Sequence, residues 1–377
     1  MRTLISNGHL ILDGKNEILN GSILIEDKKI VGIYADNQQV ACDQKIDAQG
    51  NYVIPGLLDM HTHGSLGYDF NTCEKEDIKK IADCFLAEGV TGFLASLVCE
   101  QTEDYCRILK QYEEVDCPNL IGIHMEGPFL NVEQKAVMKE DCLRNPDITE
   151  LARYESISSK IKSITIAPEL PGALPLIQVA TSHEIIVNIG HSNATCAQGL
   201  EAQAYGASGI THLYNAMSQH VHRAPGLVSA AFLSNLMCEL IVDGFHVHKD
   251  VVKATYQTIG KQRIVLISDA NPCKGLADGC YTFSGKNISI KNGQATVIET
   301  HRIAGSTLSL PQAARNMMTY CGCSIADIVT MAAVNPAQQY HLKQGKIAIG
   351  FAGDVVVTNE DFTILALVNQ DVIHDYR

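Results

Sequence analysis

Two histidines one residue apart, His61 and His63, close an apolar run of this 377-residue chain. On an extended strand, residues i and i+2 point to the same side, so both imidazoles can face one metal ion. Alone, such a pair says no more than two solvated loop histidines would. Five further apolar runs also end on ligand-type residues. They are His124-Met125-Glu126, Gly190-His191-Ser192, Thr211-His212-Leu213, Asp243-Gly244-Phe245-His246 and Ser268-Asp269-Ala270. Taken singly, Glu126 reads as a helix-capping carboxylate, His191 and His212 as satisfied core histidines, and Asp269 as a cap. Taken together they are imidazoles and carboxylates without thiolate. That donor set suits zinc, iron or manganese and leaves positions open for water. An aspartate beside such a water can take its proton and later deliver it to a leaving amine, and Asp269 is placed for that task.

Such residues need a scaffold that brings many strand ends to one face. The middle of the chain has eight short apolar runs, at residues 53–60, 90–98, 120–124, 164–167, 185–189, 210–213, 238–242 and 264–268. Helix-length segments separate them. Residues 74–88 carry Ile78, Ile81, Ala82 and Phe85 at helical spacing, and 102–115 carry Tyr105, Ile108, Leu109, Tyr112 and Val115 on one stripe. Buried strands alternating with helices predict a parallel (β/α)8 barrel, whose active site lies at the carboxyl ends of the strands. Periodicity alone also allows a doubly wound open sheet. Both chain ends read differently. Short β-rich runs, with turn signals at Asp13-Gly14 and Asn20-Gly21, fill the first 54 residues, and runs at 346–349, 354–357 and 364–368 follow Gly345. The expected organisation is therefore an α/β barrel over 55–344, with a small β-sandwich domain from 1–54 plus 345–377. A hairpin is expected at 287–290 and 295–298 around Asn292-Gly293, and no chemistry is assigned to it.

A formal charge of −13 argues against nucleic-acid binding, which relies on Lys and Arg to neutralise phosphates. The 13 cysteines form no C-x-x-C pair, and Cys321 and Cys323 are too close for a zinc knuckle. Reduced thiols in a cytoplasmic protein are expected. The N-terminus lacks a basic segment followed by an apolar one, so no signal peptide is expected. No run is long and apolar enough to span a membrane.

The motifs, in this order, resemble the N-acetylglucosamine-6-phosphate deacetylases of the amidohydrolase superfamily. Pro55-Gly56-Leu57-Leu58-Asp59-Met60-His61-Thr62-His63 marks the superfamily. His124-Met125-Glu126-Gly127-Pro128 and Thr211-His212-Leu213-Tyr214-Asn215-Ala216-Met217 are closer to the deacetylases, and Ala304-Gly305-Ser306 fits as well. The resemblance implies hydrolysis of the N-acetyl group of a phosphorylated amino sugar, in amino-sugar catabolism. It implies Glu126, His191 and His212 as ligands of a catalytic divalent metal, zinc or iron first. It implies His61 and His63 as holders of a second ion, with Glu126 bridging. Asp269 resembles the acid/base, and His246 the residue that polarises the acetamide carbonyl. Val137, Asn215, Ala216, Arg223, His246, Ile303, Ala304 and Gly305 stand at substrate-contacting positions, Arg223 toward the phosphate. A homodimer whose partner subunit helps bind the phosphate is implied too.

This sequence departs from the family at Lys135-Ala136-Val137-Met138, where Lys-Gly-Ala-His is usual. It departs again at His222-Arg223-Ala224-Pro225-Gly226, where His-Arg-Glu-Pro-Gly is frequent, and at Asn271-Pro272. N-acetylgalactosamine 6-phosphate is the rival substrate. Ring-amide hydrolysis by another amidohydrolase is disfavoured, because the fourth run ends Ala167-Pro168-Glu169 with no lysine to bridge two metals.

Overall fold

The computed structural model describes residues 1–35, 38 and 40–377. The apolar runs of the middle of the chain are eight parallel strands in one sheet. In chain order they are Leu57–Thr62, Val90–Leu97, Leu120–Glu126, Ile161–Ile166, Ile186–Ile189, Gly209–Ile210, Met237–Ile241 and Ile264–Ile267, and each pairs with the next. Every residue of the first, second and eighth strands is buried, as expected for strands covered on both faces. The first and last strands meet. Ser268 N–H donates to the Asp59 carboxylate at 3.1 Å, and Asp269 N–H donates to the His61 carbonyl at 2.8 Å. That seam closes the sheet into a barrel and rules out the open, doubly wound alternative.

The helical stripes face the core as their spacing requires. Lys75–Ala87 buries Ile78, Ile81, Ala82 and Phe85, and Thr102–Glu113 buries Tyr105, Ile108, Leu109 and Tyr112. Each such large side chain contributes about 1.5–3 kcal/mol of burial. Phe85 meets Phe93 of the second strand edge-on, with ring centroids 5.1 Å apart.

The chain ends form one further eight-stranded sheet. Its core joins Ile5, Leu10, Ile23 and Val53 to Val355, Val357 and Val368, so both ends build one small β unit. Two details differ from the sequence expectation. The run 53–60 is not a single strand. Tyr52–Pro55 belongs to the end sheet, where Pro55 pairs with Val355, and the barrel starts at Leu57. Gly56 makes the crossing. Its N–H donates to the Asp354 carbonyl, and a Cβ there would lie 2.0 Å from Thr91 Oγ1, so only glycine lets the chain pass. Residues 346–349 form no strand. Ile347 instead caps the end-sheet core and donates its N–H to Leu12.

The expected hairpin is present as Lys286–Lys291 and Gln294–Val297, with Gly279–Phe283 as a third strand. Among the described residues no helix is long and apolar enough to cross a membrane.

Candidate metal centre and active site

The strand ends bring the ligand-type residues together. His61 and His63 leave the first strand with their Nε2 atoms 3.2 Å apart. His191 and His212 follow the fifth and sixth strands with Nε2 atoms 3.1 Å apart. Glu126 ends the third strand between the two pairs. Its Oε1 lies 3.0 Å from Nε2 of both His191 and His212, and its Oε2 lies 3.3 Å from His63 Nε2. Asp269 Oδ1 is 3.3 Å from His63 Nε2 and 3.6 Å from His61 Nε2. Two buried groups result, His61–His63–Asp269 and Glu126–His191–His212, each with ligand atoms within 4.8 Å of one another.

Outer contacts orient three of the imidazoles. His63 Nδ1 donates to the Ser96 carbonyl at 3.1 Å, His191 Nδ1 to the Gln134 carbonyl at 2.7 Å, and His61 Nδ1 to the Glu239 carboxylate at 3.0 Å. With Nδ1 protonated, the Nε2 lone pairs turn inward toward each other. In their neutral forms His61 and His63 would aim Nε2 lone pairs at each other across 3.2 Å, a repulsion that a proton or a cation between them removes. The donor set therefore fits a divalent metal ion. His124, two residues before Glu126, is not part of it. Its nitrogens are taken by Ser96 Oγ and Thr165 Oγ1, and burial first, then the charge of His61, holds its pKa well down.

Positive-φ backbone also occurs at several of these residues. His191, His212, Ala216 and Asp269 all have positive φ, a conformation non-glycine residues seldom hold without a surrounding structure that enforces it. Around Asp269 the enforcement is visible. Ser306 N–H donates to the Asp269 carbonyl at 2.8 Å, and Gly305, itself at φ +61°, lets the 303–305 segment lie against it.

Charge is concentrated here. Burial alone would push His61 and His63 down. The Asp269 and Glu126 carboxylates, joined at His61 by Glu239, outweigh it and raise them to about 9 and about 10. Conversely, burial would raise Asp269, but His61 and His63 hold it below its usual range. His246 is anchored by a turn of its own. Asp243 accepts from the Phe245 and His246 amides at 2.8 Å and from His246 Nδ1 at 2.6 Å. Burial opposes the His246 cation, yet the Asp243 carboxylate raises its pKa.

A cavity of about 140 Å³ opens over the cluster, with Asp269 and His246 among its walls. Val137, Asn215, Ala216, Ile303, Ala304 and Gly305, singled out in the sequence, all line it. Its outer side joins a wider mouth of about 710 Å³ that shares Val137, Ala216 and Ile303. Met138 also lines the cavity and accepts from the Cys99 N–H at 3.4 Å. Arg223 is placed differently. It is exposed, between the two short strands His220–Val221 and Ala224–Pro225, and does not line the cavity of its own chain.

The sequence reading missed two residues. Phe283, from the hairpin region assigned no chemistry, lines the cavity with its ring 5.7 Å from that of His63. Glu239 lies inside the seventh strand and is 2% exposed. Its one available signal was an acidic residue inside an apolar run that must be buried.

Comparison with known proteins agrees with this geometry. Residues 52–372 match the amidohydrolase family. The N-acetylglucosamine-6-phosphate deacetylase of Lysinibacillus sphaericus is 33% identical over 355 residues, which cover 92% of this chain and 91% of that one. The Bacillus subtilis (strain 168) deacetylase of the same name is 30% identical, covering 94% and 93%. Among solved structures, a mutant N-acetyl-D-glucosamine-6-phosphate deacetylase from Mycobacterium smegmatis, in complex with N-acetyl-D-glucosamine-6-phosphate, is similar with a TM-score of 0.93. It is 30% identical, and the match covers 99% of both chains. This chain belongs to the amidohydrolase family and, within it, to the N-acetylglucosamine-6-phosphate deacetylases.

Proposed function

We propose that this chain hydrolyses the N-acetyl group of N-acetylglucosamine 6-phosphate, releasing acetate and glucosamine 6-phosphate, as a step of amino-sugar catabolism in the cytoplasm. The observation that carries the reading is the juxtaposition of Asp269 with the His61–His63 pair at 3.3–3.6 Å, beside the Glu126–His191–His212 group and under one cavity. A divalent ion bound there would supply Lewis acidity and a water of lowered pKa. Zinc or iron, one or two ions, would be held by Glu126, His191 and His212 and by His61 and His63.

The side chains do the rest. Asp269, held ionised by the neighbouring imidazoles, accepts the proton of the attacking water as the oxygen adds to the acetamide carbon. His246, its Nδ1 fixed on Asp243, points its other nitrogen at the carbonyl oxygen and stabilises the charge that develops there. Asp269 then returns the proton to the nitrogen as the C–N bond breaks. Asn215, Ala216 and the 303–305 segment hold the sugar so that the acetamide meets these groups. The exposed position of Arg223 supports a homodimer in which each chain's Arg223 serves the phosphate of its partner's substrate, through a planar two-point contact. The free state of all thirteen cysteines supports a reducing compartment.

The test is acetate release from N-acetylglucosamine 6-phosphate, N-acetylgalactosamine 6-phosphate and unphosphorylated N-acetylglucosamine. Preference for the first is expected. Turnover of the second alone would move the substrate to the other epimer and point to Met138 and Ala224. Turnover of none, with metal bound, would overturn the substrate.

A further inference from the structure

Glu239 occupies a place where a barrel strand ordinarily carries an aliphatic residue. Its neighbours Cys238, Leu240 and Ile241 are fully buried, and Glu239 itself is 2% exposed. A carboxylate taken out of water is strongly unfavourable unless its oxygens are well bonded. Here they are. Oε2 accepts from His61 Nδ1 at 3.0 Å and from the His212 main-chain N–H at 3.2 Å. Oε1 accepts from Asn188 Nδ2 at 3.0 Å, and Asn188 Oδ1 in turn accepts from Gln339 Nε2 at 3.0 Å. Asn188 and Gln339 both crowd Gly209, where an added Cβ would lie 2.2 Å from Asn188 Oδ1, so the network is packed as well as bonded.

The geometry has one chemical consequence for each ligand group. Oε2 accepts from both N–H groups, so the proton of a neutral His61 ring sits on Nδ1 and its Nε2 lone pair faces the cluster. The same oxygen pins the main chain of His212, a residue with strained backbone and with no partner for its buried Nδ1. Among the described residues His61 Nδ1 has no hydrogen-bond partner other than Glu239, whereas His63 and His191 rely on main-chain carbonyls that no substitution can remove.

We infer that Glu239 is a positioning residue of the metal centre: it fixes the metal-binding tautomer of His61 and ties that ligand to the His212 segment of the other group. This rests on the reading of His61 as a ligand, and the experiment separates the two. Zinc affinity of the metal-free protein is measured by competition with a chromophoric chelator, without substrate, for wild type, Glu239→Ala, Glu239→Gln, His61→Ala and the His61→Ala/Glu239→Ala double variant. Glu239→Ala is expected to weaken zinc binding about 10- to 100-fold, the usual cost of losing an outer partner of a ligand. Glu239→Gln keeps an acceptor for Nδ1–H and is expected to lose less. In the His61→Ala background the effect of Glu239→Ala is expected to shrink at least tenfold, because the group it positions is gone.

Wild-type affinity in Glu239→Ala overturns the inference, as does an undiminished effect in the His61→Ala background. Should Glu239→Ala not fold, Glu239→Met, of similar size but without an acceptor, decides, and affinity unchanged from wild type overturns it. If His61→Ala itself leaves zinc binding unchanged, the ligand reading fails and the inference falls with it.

Discussion

The main-chain N–H of Asp269 donates to the carbonyl of His61 at 2.8 Å. This bond belongs to the barrel seam, and it also sets the distance between the proposed acid/base and a proposed metal ligand. The next contact repeats the relationship, with His63 N–H donating to the Ala270 carbonyl at 2.7 Å. Closing the barrel and assembling the site are thus the same event. Because backbone holds the two residues together, the Asp269 side chain can be changed without opening the seam.

Asp269→Asn is accordingly expected to fold and to lose activity. General acid–base catalysis contributes about 10²–10⁴-fold, so kcat for acetate release should fall by that order. The thermal midpoint should stay within a few degrees of wild type. A kcat above a tenth of wild type would remove Asp269 from the proposed role.

His246 and Asp243 make a graded pair. Loss of one donor to a developing oxyanion costs about 10²–10³-fold in kcat, which is expected for His246→Gln. Asp243→Asn should cost less and should also change the pH profile. The Asp243 carboxylate raises the His246 pKa, and in the proposed mechanism the protonated ring is the donor. Removing that carboxylate lets the proton leave at lower pH, so the alkaline limb of kcat should move to lower pH. A limb that stays in place would show that His246 does not act as a charged donor.

Metal and protons compete for one site. In the metal-free protein His61 titrates near 9 and His63 near 10, so both carry a second proton at neutral pH. Metal must displace those protons, and apparent affinity should rise with pH until about 10. Calorimetric zinc titrations at pH 7.5 in two buffers of different ionisation heat should reveal proton release. Stability follows the same sign. Both pKa values lie above the ordinary 6.5, so their contribution is complete below 6.5 and is lost as pH rises through 9 to 10. The unfolding midpoint of the metal-free protein should therefore drop over that window.

Gly56→Ala tests the crossing between the two sheets. The new Cβ would meet Thr91 Oγ1 at 2.0 Å in a fully packed place. Overpacking of this kind costs about 1–3 kcal/mol, to be read as a lowered midpoint in urea unfolding. An unchanged midpoint would mean that Gly56 is free to shift.

Much of this was legible in the residues themselves. Fully buried parallel strands read as apolar runs, and each ligand-type residue sat where its run stopped, so the cluster of His61, His63, Glu126, His191, His212 and Asp269 was legible as a set of candidate residues. What failed to show has physical causes. The run through residues 53–60 hid a change of sheet, since both strands are apolar and only Gly56 marks the boundary. Residues 346–349 alternate like a strand, but Ile347 alternates because it plugs a core from a loop. Glu239 and Phe283 reach the site through tertiary contacts that no local period encodes. Arg223 matched its motif, yet it sits exposed in the turn between two short strands, a placement that the motif does not carry.

The most direct test of the account is removal and return of the metal. Purified protein is stripped with a chelator, dialysed and assayed for acetate release from N-acetylglucosamine 6-phosphate, then reassayed after addition of zinc or ferrous iron, with bound metal counted on the same sample. The account predicts activity lost on stripping and restored in proportion to metal bound at His61–His63–Asp269 and Glu126–His191–His212. Full acetate release by metal-free protein would contradict it.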